Sequence, residues 1–245
     1  MKQDEPRLDV ILALRRAVQV FRLDFAAVVL AGVVLVTLPG ALTRRLPDTF
    51  DWGTFATTLR GVCAMLYVAL VSWGVVARLA GQALPPRRYL SEGLARAAPG
   101  VKVALLIGAA VVMGLTVQLF ARHGTIAGWL LNSLLLTAGL VAVTTLMPAV
   151  PAAVVERLGP VAALRRAAAL TAGNRDRILA LALLVGLTLA PSAALIAGIT
   201  GPDGARPNDV GLWLRSIFEL IAWSLAATVP AVVYALLREP TLETR

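Results

Sequence analysis

The stretch ILALALLVGLTLAPSAALIAGIT, residues 178–200, carries no charged side chain. Wound as an α-helix it can cross a hydrocarbon core of about 30 Å, which takes roughly 20 residues. Five more stretches share its length and apolar character, at about 25–42, 55–77, 101–121, 126–155 and 211–237. Charged residues make up 15% of the chain, against about 25% in a soluble domain, and they cluster between these stretches. Lipid offers no partner to a bare charge or an unpaired amide, so the pattern predicts six transmembrane helices. The period-2 alternation of a membrane β-barrel is absent. The expected fold is all-α, a single polytopic membrane domain over residues 1–245.

The net charge is +9, and its distribution sets the orientation. Lys2, Arg7, Arg15, Arg16 and Arg22 precede the first span. Arg78, Arg87, Arg88 and Arg96 lie between the second and third, with Lys102 at the edge of that loop, and Arg157, Arg165, Arg166, Arg175 and Arg177 between the fourth and fifth. With Arg238 and Arg245 these are 17 of 23 basic residues, all on one side of a six-span chain. The other side keeps Arg44, Arg45, Arg122 and Arg206 in its loops, with Arg60 and Arg215 in nearby helices. The positive-inside rule makes the first side, and both termini, cytoplasmic. Acidic residues interrupt the first 24 residues and no cleavage site follows residue 40, so the first span is expected to be retained. Arginine outnumbers lysine 21 to 2 and alanine is abundant, which points to a GC-rich bacterial genome and hence to a bacterial plasma (inner) membrane.

Three segments look like copies of one unit, over 6–80, 89–155 and 160–237. Leu12-Ala13-Leu14-Arg15-Arg16-Ala17 precedes the first span and Ala163-Leu164-Arg165-Arg166-Ala167 the fifth. Leu94-Ala95-Arg96-Ala97 is a weaker version before the third. The predicted architecture is three hairpins, each preceded by a cytoplasmic interfacial amphipathic helix. Leu8, Ile11, Leu14, Val18 and Phe21 recur on one helical face, with cations on another, as an interfacial helix requires. Arg15, Arg16, Arg96, Arg165 and Arg166 are the candidate contacts for anionic headgroups or a protein partner. Pro160 early and Gly173 late bracket one short helix. In the fifth span Ala182, Gly186, Ala190, Ala194 and Gly198 form a ridge expected to admit a close helix neighbour. Pro148, Pro191 and Pro230 are expected to kink their helices.

Chemistry is sparse. His123 is the sole histidine, Cys63 the sole cysteine, and no P-loop, dinucleotide fingerprint or metal-ligand cluster is present. No enzyme activity and no cofactor are expected. The positive charge follows from topology, so nucleic acid is not an expected partner. Arg215 and Glu219 are strong charges inside a span, four residues apart on one helical face. They form a candidate intramembrane polar site, facing inward and paired.

Residues 147–174 read Met147-Pro148-Ala149-Val150-Pro151, then Glu156-Arg157-Leu158-Gly159-Pro160, Ala163-Leu164-Arg165-Arg166, and Leu170-Thr171-Ala172-Gly173-Asn174. This resembles the bacterial glycerophosphoryl diester phosphodiesterase membrane domain family and its stand-alone relatives, with Glu156, Gly159 and Gly173 as the cytoplasmic motif. Ala167 stands where that family usually has Ser. The resemblance implies the fold and the membrane location. The catalytic barrel of the fused relatives is not expected, because the chain ends eight residues after Leu237. The same loop is similar to the ATPase-docking loop of ABC importer permeases in topological place, charge and helical character. It departs from them because Gly159 follows Glu156 too closely and no later Pro precedes Pro191. Two functions follow: a non-enzymatic protein that organises or modulates lipid or a partner, or a transport component such as a permease subunit. A polar, water-accessible route through the six helices would separate them.

The topology is tested with single cysteines. Those at Thr49, Gly124 and Gly204 are expected to label from outside intact cells, and those at Gln3, Gln82 and Thr171 are not. External labelling at the loop holding Thr171 would refute the six-span arrangement.

Overall fold

Asp9 starts the first helix, its carboxylate accepting from the amides of Ile11 at 2.8 Å and Leu12 at 3.1 Å. That helix, α1, is Val10–Leu23. The structure, a computed structural model, describes residues 8–43, 49–119, 125–200 and 209–238. Lys2, Arg7, Arg44, Arg45, Arg122, His123, Arg206 and Arg245, and the labelling positions Gln3, Gly124 and Gly204, lie outside the described residues.

All regular structure among the described residues is helical. The first span joins α2 (Phe25–Gly32), a π-helical turn (Val33–Thr37) and α3 (Leu38–Thr43). In a straight α-helix the Pro39 ring would strike the Leu35 carbonyl, and the wider turn sits just before it. Helices α4 (Phe50–Leu79) and α5 (Pro86–Leu119) follow. The fourth span is α6 (Ile126–Leu146) and α7 (Ala149–Glu156), separated at Met147 and Pro148. Then come α8 (Pro160–Leu170), α9 (Arg175–Thr200) and α10 (Asp209–Arg238). Six helical segments are long and apolar enough to cross a membrane: Phe25–Thr43, Trp52–Leu79, Pro86–Gln118, Ile126–Glu156, Arg175–Ile199 and Trp213–Arg238. The chain reads as a multi-pass membrane protein.

One sequence expectation changes. The second basic segment is no separate helix, since Arg87, Arg88 and Arg96 lie on α5, which runs unbroken through Pro99 into the third span. Pro148 interrupts its span, and Pro191 and Pro230 lie inside the continuous helices α9 and α10.

The core is a seam of α4, α10 and the first span, filled by Tyr67, Val71, Val75, Val28 and Val232. Tyr67 Oη meets Ser224 Oγ of α10 at 2.7 Å and the Val28 carbonyl of α2 at 3.4 Å. The closest approaches are at glycines the sequence did not single out. A Cβ on Gly32 would meet Leu220 at 2.1 Å, and one on Gly74 the Tyr89 ring at 2.1 Å. The ridge on α9 makes no such contact. Gly186, Ala190, Ala194 and Gly198 are exposed, and a Cβ at either glycine would meet nothing within 4 Å. In lipid an apolar surface gains nothing by hiding from its surroundings, so a small-residue pattern does not by itself draw in a neighbour.

Thr171 is buried, its hydroxyl bonded to the Ala167 carbonyl at 3.0 Å, so the exposed Ala172 is the better labelling site for that loop. Gly74→Ala is expected to cost about 1–3 kcal/mol of stability by overpacking against Tyr89, while Gly53→Ala, with open space at its Cβ, costs nothing. Thermal unfolding in detergent checks this, and equal melting temperatures for the two variants would contradict it.

Candidate functional site

The most developed polar site lies where α7, α8 and α10 meet. Helix α7 ends at Glu156, and Arg157, at φ 54°, turns the chain through the left-handed region. Pro160 opens α8 with its φ already fixed for a helix. Ala163 and Ala167 then press the small face of α8 onto Val103, Ala149 and Ala153. That docking sets the rotation of α8 and brings Arg166 to Glu156. Glu156 Oε1 accepts from Arg166 Nε at 3.1 Å and from Tyr234 Oη of α10 at 2.7 Å. Tyr234 is fully buried, so one carboxylate oxygen ties a membrane helix to a surface helix. Arg165, the next residue along, is exposed.

Beside this junction is an open recess of about 750 Å³, lined by Glu156, Leu158, Val161, Ala162, Arg165 and Arg166. Its lining combines guanidinium donors, a carboxylate and an apolar lip. The motif glycines have different standings. Gly173 sits at φ 84°, a conformation that favours glycine, while Gly159 has an ordinary backbone and open space at its Cβ.

The other sequence-derived residues are dispersed. Arg15 is exposed and Arg16 partly so on α1. Arg96 is not free, since its guanidinium lies 5.3 Å from the centroid of the Trp73 ring. Arg215 Nε meets Glu219 Oε1 at 3.3 Å, and both side chains are about a quarter exposed. A Cβ on Gly40 of the first span would lie 3.6 Å from Glu219 Oε2, so Glu219 reaches toward its neighbour helix, as its depth in a span requires. Cys63 is a free, partly buried thiol, and no metal-binding cluster of His, Cys, Asp or Glu occurs among the described residues.

Sequence reasoning missed two contacts. Asp24 is buried, and both its oxygens accept from Arg78 Nε at 3.0 Å, with Arg78 Nη2 also bonded. The available signal was a carboxylate at the mouth of one span and a cation at the end of the next. Leu8 is pinned twice: its amide donates to Asn174 Oδ1 at 2.7 Å, and its carbonyl accepts from Arg177 Nη1 at 2.8 Å. No sequence signal marked that contact.

No protein-family model, no curated protein and no solved structure matches the chain.

The Arg215–Glu219 contact is tested with Glu219→Gln, Arg215→Gln and the two together. The two changes are expected to be non-additive, with a coupling energy of about 1 kcal/mol or more in a double-mutant cycle. Additive effects would show that the pair does not interact.

Proposed function

We propose that this is a non-enzymatic protein of the bacterial inner membrane, with its basic end and termini in the cytoplasm, which engages anionic lipid headgroups and thereby organises lipid or a protein partner there. The observation that carries the reading is the division of labour on α1 and α8. Each turns small residues into the bundle: Ala13 and Ala17 on α1, Ala163 and Ala167 on α8. Each leaves apolar side chains and arginine outside: Ile11, Val18 and Arg15 on α1, Val161 and Arg165 on α8. Exposed apolar side chains beside arginines are costly in water and suited to the headgroup–acyl boundary. Of the apolar face read on α1, Ile11 and Val18 stay outside, whereas Leu8 is buried and Leu14 and Phe21 pack against the core.

The matching placement of these alanines supports the three-unit organisation, the middle unit having fused its surface helix to its span. The resemblance to the glycerophosphoryl diester phosphodiesterase membrane domain supports the fold and membrane location within this proposal, without the phosphodiesterase activity. A transport component is the competing reading. Against it stands the dense packing of the α4–α10 seam, where Tyr67, Val71, Val75 and Val232 are fully buried.

The test is lipid selectivity. Changing Arg15, Arg16, Arg165 and Arg166 together to Gln is expected to weaken enrichment of anionic over neutral lipid around the protein in nanodiscs, at about 1 kcal/mol for each cation at the surface. Unchanged enrichment by lipid mass spectrometry would refute it. A stoichiometric ATPase co-purifying with the gently extracted protein would favour transport instead.

A further inference from the structure

The two oxygens of Glu156 are not equivalent. Oε1 accepts from Tyr234 and Arg166, while Oε2 accepts from no described residue. The side chain is 23% exposed and faces the recess. The neighbouring donors are unequal too. Arg166 commits Nε to Glu156, which leaves Nη1 and Nη2 without a partner among the described residues. Arg165 makes no hydrogen bond or ion pair with them at all. The recess is thus lined by a carboxylate with one oxygen that accepts from no described residue and by two guanidinium groups with uncommitted nitrogens.

That set discriminates between ligands. A bare phosphate suits the arginines, but the open carboxylate oxygen repels it. An ammonium ion suits only the carboxylate. A phosphodiester whose alcohol half carries a hydroxyl or ammonium donor suits both, because the phosphate takes the guanidinium donors and the alcohol half donates to the carboxylate. Leu158, Val161 and Ala162 supply an apolar lip for the part of the molecule that leads toward acyl chains. The recess is open rather than enclosed, as suits a headgroup whose acyl chains stay outside it.

We propose that this recess binds the headgroup of a phosphodiester lipid whose alcohol ends in a hydrogen-bond donor, with Arg165 and Arg166 on the phosphate and Glu156 Oε2 on the donor. The proposal rests on the membrane-surface reading above and adds the headgroup class to it. Tyr234 is a positioning residue. Its buried hydroxyl fixes Oε1, and with it both the direction of Oε2 and the plane of the Arg166 guanidinium.

The experiment compares two lipids of equal charge in phosphatidylcholine nanodiscs. Phosphatidylglycerol carries hydroxyl donors on its alcohol half, and phosphatidylmethanol carries none. Mass spectrometry of the lipid retained by the full-length protein is expected to show phosphatidylglycerol enriched about fivefold or more over phosphatidylmethanol, the size of one net hydrogen bond. Glu156→Gln is expected to remove that preference while retention of both anionic lipids persists. Arg165→Gln, at an exposed side chain with no partner to lose, is expected to lower retention of both without changing the melting temperature. Equal retention of the two lipids by the unaltered protein overturns the proposal, whatever the variants do. If Arg165→Gln has no effect but the four-arginine variant loses anionic lipid, the recess assignment falls and the membrane-surface reading stands. If neither variant alters anionic retention, both fall. Displacement of phosphatidylglycerol by millimolar soluble glycerophosphoglycerol would assign the recess to a soluble diester and overturn the lipid assignment.

Discussion

One hydroxyl group joins three membrane helices. Tyr67 Oη on α4 reaches Ser224 on α10 and the Val28 carbonyl on α2, all within the buried seam. In water such a contact exchanges one hydrogen bond for another. In hydrocarbon the alternative is an unsatisfied polar group, so the three helices are held to one register. The glycines follow from that register. Gly32 lies under Tyr67 and Leu220, and Gly74 under the Tyr89 ring, because helices fixed this closely have no room for a Cβ. Away from the seam the rule relaxes, and α9 and the far half of α5 keep most of their apolar surface outward.

The charges are handled at the ends by the same logic. Asp24 is closed off by Arg78, and Glu156 by Arg166 and Tyr234. Each contact joins the end of one membrane span to a neighbouring element, so the basic end is tied together by a few polar contacts. The N-terminal segment is held there too, through Leu8, Asn174 and Arg177.

The six spans were legible because exclusion of charge from lipid acts on each stretch separately. The observed segments differ from the sequence bounds by a few residues, except where α5 begins early. There the helix runs through Pro99, although the residue before a proline is ordinarily pushed out of helical geometry. Packing overrode it, with Gly100 set against Val154 and Ala69. The neighbourhood of Glu156 was legible as a motif because its parts lie within a few residues of each other. The Arg215–Glu219 pair was legible because four residues is one helical turn. Asp24–Arg78 and Leu8–Asn174 were not, being 54 and 166 residues apart, where no local periodicity reports on partners. The α9 ridge shows the converse, a local pattern in which a Cβ on either glycine would meet nothing within 4 Å.

Helix α5 is mechanically unusual. Its 34 residues make a rod of about 51 Å, well beyond the thickness of a hydrocarbon core. Where α1 and α8 join their spans through short turns that absorb rotation, α5 has no such joint. At Pro99, where a backbone hydrogen bond is missing, Gly100 is wedged against α4 and α7. With Tyr89 packed on Gly74 and Gly93 on Leu70, the segment bearing Arg87 and Arg88 is fastened to α4, so a tilt of the third span has to be shared by the second.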